Sequence, residues 1–214
     1  MVDLSQSMMD IAQQRLATCN VTLQPATLVA DATSLPFPDA SFDRYISNMT
    51  VHYAPDADAF LREAARILAS GGLAGFSVWG QEHLSSAFTL LPRIKISLGL
   101  TPSSTSTSTS TSTPPPPRSS YHMGEDDEAL RQQVLLAGFS SCVIWHAVSV
   151  VEATTAEQFA DTMIEGSNST KQEYLGWPEE TQQRFREEVL RCATDILDRG
   201  EPLCLDVCYC IARK

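Results

Sequence analysis

Apolar residues recur along this chain with two different periods, and the alternation between them sketches the fold. Met8, Ile11, Ala12 and Leu16 sit at helical spacing behind Ser5, so Ser5 to about Thr18 is predicted as a Ser-capped helix. A short strand is expected over Thr27–Ala30. The run Leu35-Pro36-Phe37-Pro38 is excluded from any helix interior, because proline lacks an N–H and constrains the residue before it. Phe42–Asn48 reads as a strand. Asp56–Ala69 reads as a helix with Phe60, Leu61, Ala64 and Leu68 on one face, stopped by Gly71-Gly72 in the manner of a left-handed helix end. Leu73–Trp79 reads as a strand. Strand, helix, strand in this order predicts parallel pairing through right-handed crossovers.

Further along, residues 82–100 form a moderately apolar helical stretch carrying Leu84, Phe88, Leu91, Ile94, Ile96 and Leu98. Residues 101–118 are a Ser/Thr alternation followed by four prolines. Such a segment has little to bury, so a disordered surface insertion is expected there, with a mucin-like spacer as the alternative. Helices are predicted over Glu125–Ala137, Thr155–Ile164 and Glu179–Arg199. Strands are predicted over Cys142–Val151 and Pro202–Ala212. All 214 residues are read as one domain, 1–214, interrupted by the insertion.

Composition narrows the partners. Fifteen Lys and Arg against 26 Asp and Glu give a net charge of −11, which repels phosphate backbones and anionic bilayers. Neither nucleic acid nor membrane is therefore expected as a partner. No signal-like or spanning apolar run is visible, and the six cysteines are expected as reduced thiols in a cytoplasmic protein. Asn-x-Thr sequons at Asn20, Asn48 and Asn168 are read as chance. Cys204, Cys208 and Cys210 share one strand face by parity, but their spacing fits no common zinc pattern, so no metal is expected.

Two motifs stand in series. Leu35-Pro36-Phe37-Pro38-Asp39-Ala40-Ser41-Phe42-Asp43 is followed by Glu63-Ala64-Ala65-Arg66-Ile67-Leu68-Ala69-Ser70-Gly71-Gly72. With Val2-Asp3-Leu4-Ser5 and Asp31-Ala32 before them, these stretches resemble the class I S-adenosylmethionine (SAM) methyltransferases, specifically the type-11 domain. The likeness is strong over about Val2–Trp79 and weak beyond. It implies an α/β, doubly wound, mostly parallel Rossmann-like sheet. It also implies SAM as cofactor, a small-molecule methyl acceptor and in-line methyl transfer governed by positioning of the nucleophile.

By the same resemblance Asp3 would hold the ribose hydroxyls and Leu4 would pack on the adenine. Asp31 and the Ala32 N–H would meet the adenine edge, and Asn48-Met49 would lie along the methionine end. His52 would be the catalytic candidate beside the transferred methyl. Trp79, Tyr174 and Trp177 are read either as lining an acceptor pocket or as core.

The departure from the family lies at the start. The first glycine in the chain is Gly71, so the first strand and glycine loop that precede Asp3 in the family are absent, and the sheet is expected to be incomplete at its N-terminus. Three or four lost hydrogen bonds at ~1 kcal/mol each would weaken cofactor binding on the order of 10²–10³-fold. The alternative to an enzyme is a catalytically inactive, methyltransferase-like interaction protein that uses an exposed sheet edge to bind a protein partner, or a gene-model fragment.

Overall fold

The computed structural model describes residues 1–19, 25–100, 120–151, 153 and 155–214. The predicted insertion at 101–118 and the sequon at Asn20 lie outside the described residues. The elements in chain order are β1 (Val2–Asp3), α1 (Gln6–Thr18), β2 (Leu28–Val29), β3 (Phe42–Asn48), α2 (Ala57–Ile67), β4 (Leu68–Trp79), α3 (Ser86–Ser97), α4 (Asp127–Leu136), β5 (Ser141–Val150), α5 (Ala156–Glu165), α6 (Asn168–Leu175), α7 (Glu179–Asp198) and β6 (Cys204–Arg213). Short 3-10 turns occupy Val51–Tyr53 and Glu82–Leu84.

Helix starts follow local chemistry. The Ser5 hydroxyl accepts from the Met8 N–H, Asp56 from Ala59, Asp126 from Glu128 and Ala129, and Thr155 from Gln158. Each satisfies donors that the first helical turn leaves open.

The expected glycine stop of α2 is corrected. The helix ends at Ile67 and the chain turns straight into β4, with Leu68 extended and fully buried. No glycine cap is needed, because other groups take the terminal carbonyls. The Ala40 N–H donates to Arg66 O at 3.0 Å, and Lys214 Nζ donates to Leu68 O at 2.7 Å. Gly71 does adopt a left-handed φ of +78°, but inside β4. There the pairing jumps from Phe42↔Leu68 to Arg44↔Leu73, so residues 69–72 form a bulge.

β1 and β2 pair in parallel (Val2↔Leu28, Asp3↔Val29) as a two-stranded sheet. The other sheet has the order β3-β4-β6-β5, with β3 and β4 parallel. β6 runs against β4: Gly71 and Gly72 bond Lys214, whereas Gly80 bonds Asp206. It also runs against β5, through Ser140 to Arg213 and Val151 to Leu203. A mostly parallel sheet holds for the first half of the chain, and the last strand enters antiparallel.

The chain divides into two compact units. One comprises Met1–Val78, His122–Trp145 and Cys208–Lys214, the other Trp79–Tyr121 and His146–Val207. The first has a core of Val51, Phe60, Leu61, Leu68, Phe76 and Phe139, with Cys208 and Cys210 on the inward face of β6. The second is built on Leu91, Ile94, Phe159, Phe185, Val189 and Leu203. All six cysteines are free thiols. Cys210 is buried, which together with the neighbouring Cys142 pushes its thiol up to about 12 and keeps it protonated.

The two halves of the sequence signature are joined physically. Arg66 of α2 grips Glu63 through Nε at 2.8 Å and Nη2 at 2.7 Å. It also donates to Leu35 O, Phe37 O and Asp39 Oδ1. Glu63 Oε1 in turn accepts from the Leu35 N–H at 2.6 Å. The planar guanidinium fork thus pins the proline loop to α2, a task a lysine point charge performs poorly. Among the described residues, no helix is long and apolar enough to cross a membrane.

Candidate functional site

The predicted adenosine-facing residues lie at the carboxyl ends of β1 and β2. Asp3 closes β1, and the Ala30 N–H donates to Asp3 O at 3.1 Å, so Asp31 follows directly on the neighbouring strand. Ligands of open α/β sheets bind outside such strand ends.

Each carboxylate is held by its own turn. Asp3 Oδ1 accepts from the Ser5 N–H at 2.8 Å, which also sets the entry into α1. Asp31 Oδ1 accepts from the Thr33 N–H at 2.8 Å and the Thr33 hydroxyl at 2.7 Å, and these bonds hold its carboxyl below the usual range. In both residues the second oxygen has no partner among the described residues. Both are therefore oriented acceptors with a face to spare. That suits a ligand offering hydroxyl or amino hydrogens. Leu4 is 72% exposed, so its side chain is open to a flat apolar partner, and Ala32 packs partly against the core.

A second group of predicted residues lies at the end of β3. Ser77 on β4 is buried, and its hydroxyl donates to Asn48 Oδ1 at 2.6 Å. The Met49 N–H donates to both the Ser77 carbonyl and its hydroxyl at 3.0 Å. Met49 is thereby held at φ +53°, a left-handed conformation that a non-glycine residue adopts at a cost of order 1 kcal/mol or more. The exit of β3 is thus tied to β4 through the hydroxyl and the carbonyl of one residue, Ser77.

His52 lies in the following 3-10 turn and is buried, with the exposed Tyr53 ring 4.1 Å away between centroids. Burial, reinforced by the like charge of His122, pushes its imidazole down to about 4. At neutral pH it is uncharged. It can orient a protic group by accepting a hydrogen bond, but it stores a proton poorly.

An open groove of about 510 Å³ lies between α2 and α4, bordered by Asp58, Arg62, Met123, Leu130 and Gln133. None of Asp3, Leu4, Asp31, Ala32, Asn48, Met49 and His52 lines it, whereas His122 does. In the second unit Tyr174 and Trp177 take the core reading. Trp177 packs edge-on to Phe185 at 5.1 Å, and Lys95, paired with Glu173 at 2.6 Å, sits over the Trp177 ring. Trp79 is half-buried against Phe88 at 4.9 Å.

Sequence reasoning passed over one constellation. Asp206 is fully buried, and its Oδ2 accepts from the Gln81 N–H at 2.7 Å and contacts His146 Nδ1 at 2.6 Å. Its other oxygen has no partner among the described residues. The signal was present as an acid in the middle of the apolar run Leu203-Cys204-Leu205-Asp206-Val207-Cys208.

Residues 1–76 match a family model described as a methyltransferase domain. Among curated relatives, the chain is 36% identical over 74 residues to 2-methyl-6-phytyl-1,4-hydroquinone methyltransferase 1 of Oryza sativa subsp. japonica, covering 35% of this chain and 21% of that protein. It is 34% identical over 83 residues to the malonyl-(acyl-carrier protein) O-methyltransferase of Halorhodospira halophila, covering 39% and 27%. The chain therefore spans between a fifth and about a quarter of the length of these relatives.

Solved structures extend the likeness in fold across the whole chain. The YcgJ protein of Bacillus subtilis superimposes with a TM-score of 0.52 at 18% identity, covering 100% of this chain and 80% of that one. The (4+2)-cyclase SpnF gives 0.51 at 19%, covering 100% and 65%. The chain shares the α/β fold of these structures, and over residues 1–76 it is similar to a methyltransferase domain. The family resemblance read from Val2–Trp79 is borne out by the match over residues 1–76.

Proposed function

We propose that this chain carries the adenosine-binding side of a SAM-dependent methyltransferase acting on a small molecule. The observation that carries the reading is the placement of Asp3 and Asp31 at the carboxyl ends of two adjacent parallel strands. Each has one oxygen fixed by its own turn and the other without a partner among the described residues. In this reading Asp3 takes the ribose hydroxyls and Leu4 covers one adenine face, while Asp31 and the Ala32 N–H take the adenine edge. Asn48 and Met49, locked by Ser77, border the methionine end. SAM, when bound, supplies an electrophilic methyl group. The chain's own part is to bind and orient, and His52 serves as a neutral acceptor that aligns the nucleophile's proton. The small-molecule acceptor is inferred from a relative whose name specifies a hydroquinone. A cytoplasmic setting accords with six free thiols.

Isothermal calorimetry with SAM and S-adenosylhomocysteine tests this. Binding between micromolar and submillimolar Kd is expected, weakened at least tenfold by Asp3→Ala and by Asp31→Ala. The absence of heat at millimolar cofactor overturns it.

A second reading, an interaction protein without catalysis, is favoured by the strand pairings. Among the described residues β1 pairs only with β2 and β3 only with β4. Their other edges offer unpaired backbone groups to an added strand.

A further inference from the structure

Half of the thiols share one sheet face in the first unit. Cys208 and Cys210 lie buried on the inward face of β6. Cys142, near the start of β5, packs against the same core but is only half-buried. β5 is the edge strand of its sheet, and β6 is its neighbour. Their register at this end is set by the Ser140 N–H, which donates to Arg213 O at 2.7 Å. Counting along the antiparallel pair brings Cys142 opposite residues 210–212, and by parity its same-face neighbours there are Cys210 and Ala212. The Cys142 and Cys210 thiols hydrogen-bond to each other. Helix α4 holds Cys142 from its other side. Arg131 Nη1 donates to Cys142 O at 2.8 Å and to its sulfur at 3.7 Å.

We propose that Cys142 and Cys210 are a peroxide-sensitive thiol pair, which hydrogen peroxide converts to a disulfide. Three properties select Cys142 as the thiol that reacts first. Its surface is partly open, a guanidinium adjoins the sulfur that must carry negative charge as it attacks, and a second thiol is in contact. Cys192 also has an arginine, Arg191 Nη2 at 3.3 Å, but its thiol donates to the Glu188 carboxylate, whose charge opposes a thiolate. Cys204 donates to Leu84 O at 3.3 Å and has no cation bonded to it among the described residues. In the first step the Cys142 sulfur attacks one peroxide oxygen and the O–O bond breaks, leaving a sulfenic acid and water. In the second the Cys210 sulfur attacks the Cys142 sulfur and the S–O bond breaks. Hydroxide leaves with the Cys210 proton as a second water. The two thiols together lose two electrons, and the peroxide gains both. Burial keeps Cys210 protonated at rest, so it resolves the sulfenic acid and does not start the reaction. Cys142 is the second residue of an edge strand, where a small shift can bring the Cβ atoms to the roughly 3.8 Å a disulfide needs. The bond closes a loop over residues 143–209, which carries α5, α6 and α7. Closing so long a loop restricts the unfolded chain, so oxidation stabilises the folded one.

The test is a peptide map of the full chain after about 1 mM hydrogen peroxide at neutral pH for about one hour, with the remaining thiols alkylated. Without reductant, trypsin is expected to yield residues 132–171 joined to residues 200–213, about 2 Da lighter than the two peptides together. Fragment ions are expected to place the bond at Cys142 and Cys210, and dithiothreitol to separate the peptides. The oxidised chain is expected to melt about 5–10 °C above the reduced one. Cys142→Ser changes a half-buried position, so it is expected to fold as the wild type and to lose both the joined peptide and the rise in melting temperature. Arg131→Met is expected to slow the loss of the Cys142 thiol about threefold, and Arg131→Lys, which keeps the charge, to restore the rate. The proposal is overturned if Cys142 stays a thiol, or if it proceeds to sulfinic acid while Cys210 is unmodified. It is equally overturned if Cys142 joins Cys204 or Cys208 instead, if Cys142→Ser keeps the rise in melting temperature, or if Arg131→Met reacts as fast as the wild type.

Discussion

At His52 a titratable ring has been taken out of water, and the consequence for stability has a definite sign. The folded imidazole titrates near 4 because of burial and the neighbouring His122, whereas the unfolded one titrates near 6.5. Between those values the unfolded chain binds more protons, so stability is complete above about pH 6.5 and falls as pH drops toward 4. The full shift corresponds to about 3 kcal/mol for a wholly shielded ring, and partial screening reduces it to about 1–2 kcal/mol. Urea unfolding of wild type and His52→Leu at pH 7 and at pH 4.5 should show it. The stability difference between the two proteins should shift toward the variant by that amount at the lower pH. An unchanged difference would mean the ring titrates normally. The same depressed basicity bears on catalysis. In the proposed enzyme a neutral His52 would align a nucleophile that already carries a suitable proton, and it would be ill suited to removing a proton from a poorly acidic one.

Among elements, the Asp206 cluster shows how one carboxylate can set where chain segments meet. Asp206 on β6 takes the Gln81 N–H just beyond β4 and the His146 ring on β5, and its own N–H donates to the buried Ser85 hydroxyl at 3.1 Å. Gly80 is required beside it, since any Cβ there would collide with Asp206 Oδ2 and lie 3.0 Å from His146 Nδ1. Asp206→Ala leaves the Gln81 N–H and the His146 ring without this acceptor, so a loss of about 2–3 kcal/mol is expected in denaturant unfolding. Asp206→Asn, which keeps one acceptor, should lose less than half of that. A loss under 0.5 kcal/mol for Asp206→Ala would remove the cluster from any structural role.

The same scale shows what was legible in the chain. Caps at Ser5, Asp56, Asp126 and Thr155 are local chemistry and were readable, as was the span Phe42–Asn48. Helix α6 was not read, because Asn168–Leu175 carries almost no apolar period. The end of α2 was misread for a different reason. Gly71-Gly72 is a local signal, but the carbonyls it was meant to cap are satisfied by Ala40 and Lys214, which are distant in sequence. The site divides likewise. Asp3 and Asp31 were found through motif resemblance, while the Ser77 lock and the Asp206 cluster depend on cross-strand register that no single segment encodes.

For the whole molecule, the parallel half of the sheet follows from the strand–helix–strand order, but the antiparallel entry of β6 does not, since a period of two is blind to strand direction. Net charge is the whole-molecule property that composition does determine. With 26 acidic against 15 basic side chains and a pI near 4.7, the mean field repels polyanions. Non-specific duplex binding draws its affinity from released counterions, and a surface that neutralises few phosphates releases few. A fluorescein-labelled 20-base-pair duplex should therefore show no anisotropy change up to about 100 µM protein at 0.1 M salt, where the screening length is about 10 Å. Binding of the duplex with a steep salt dependence would overturn that expectation.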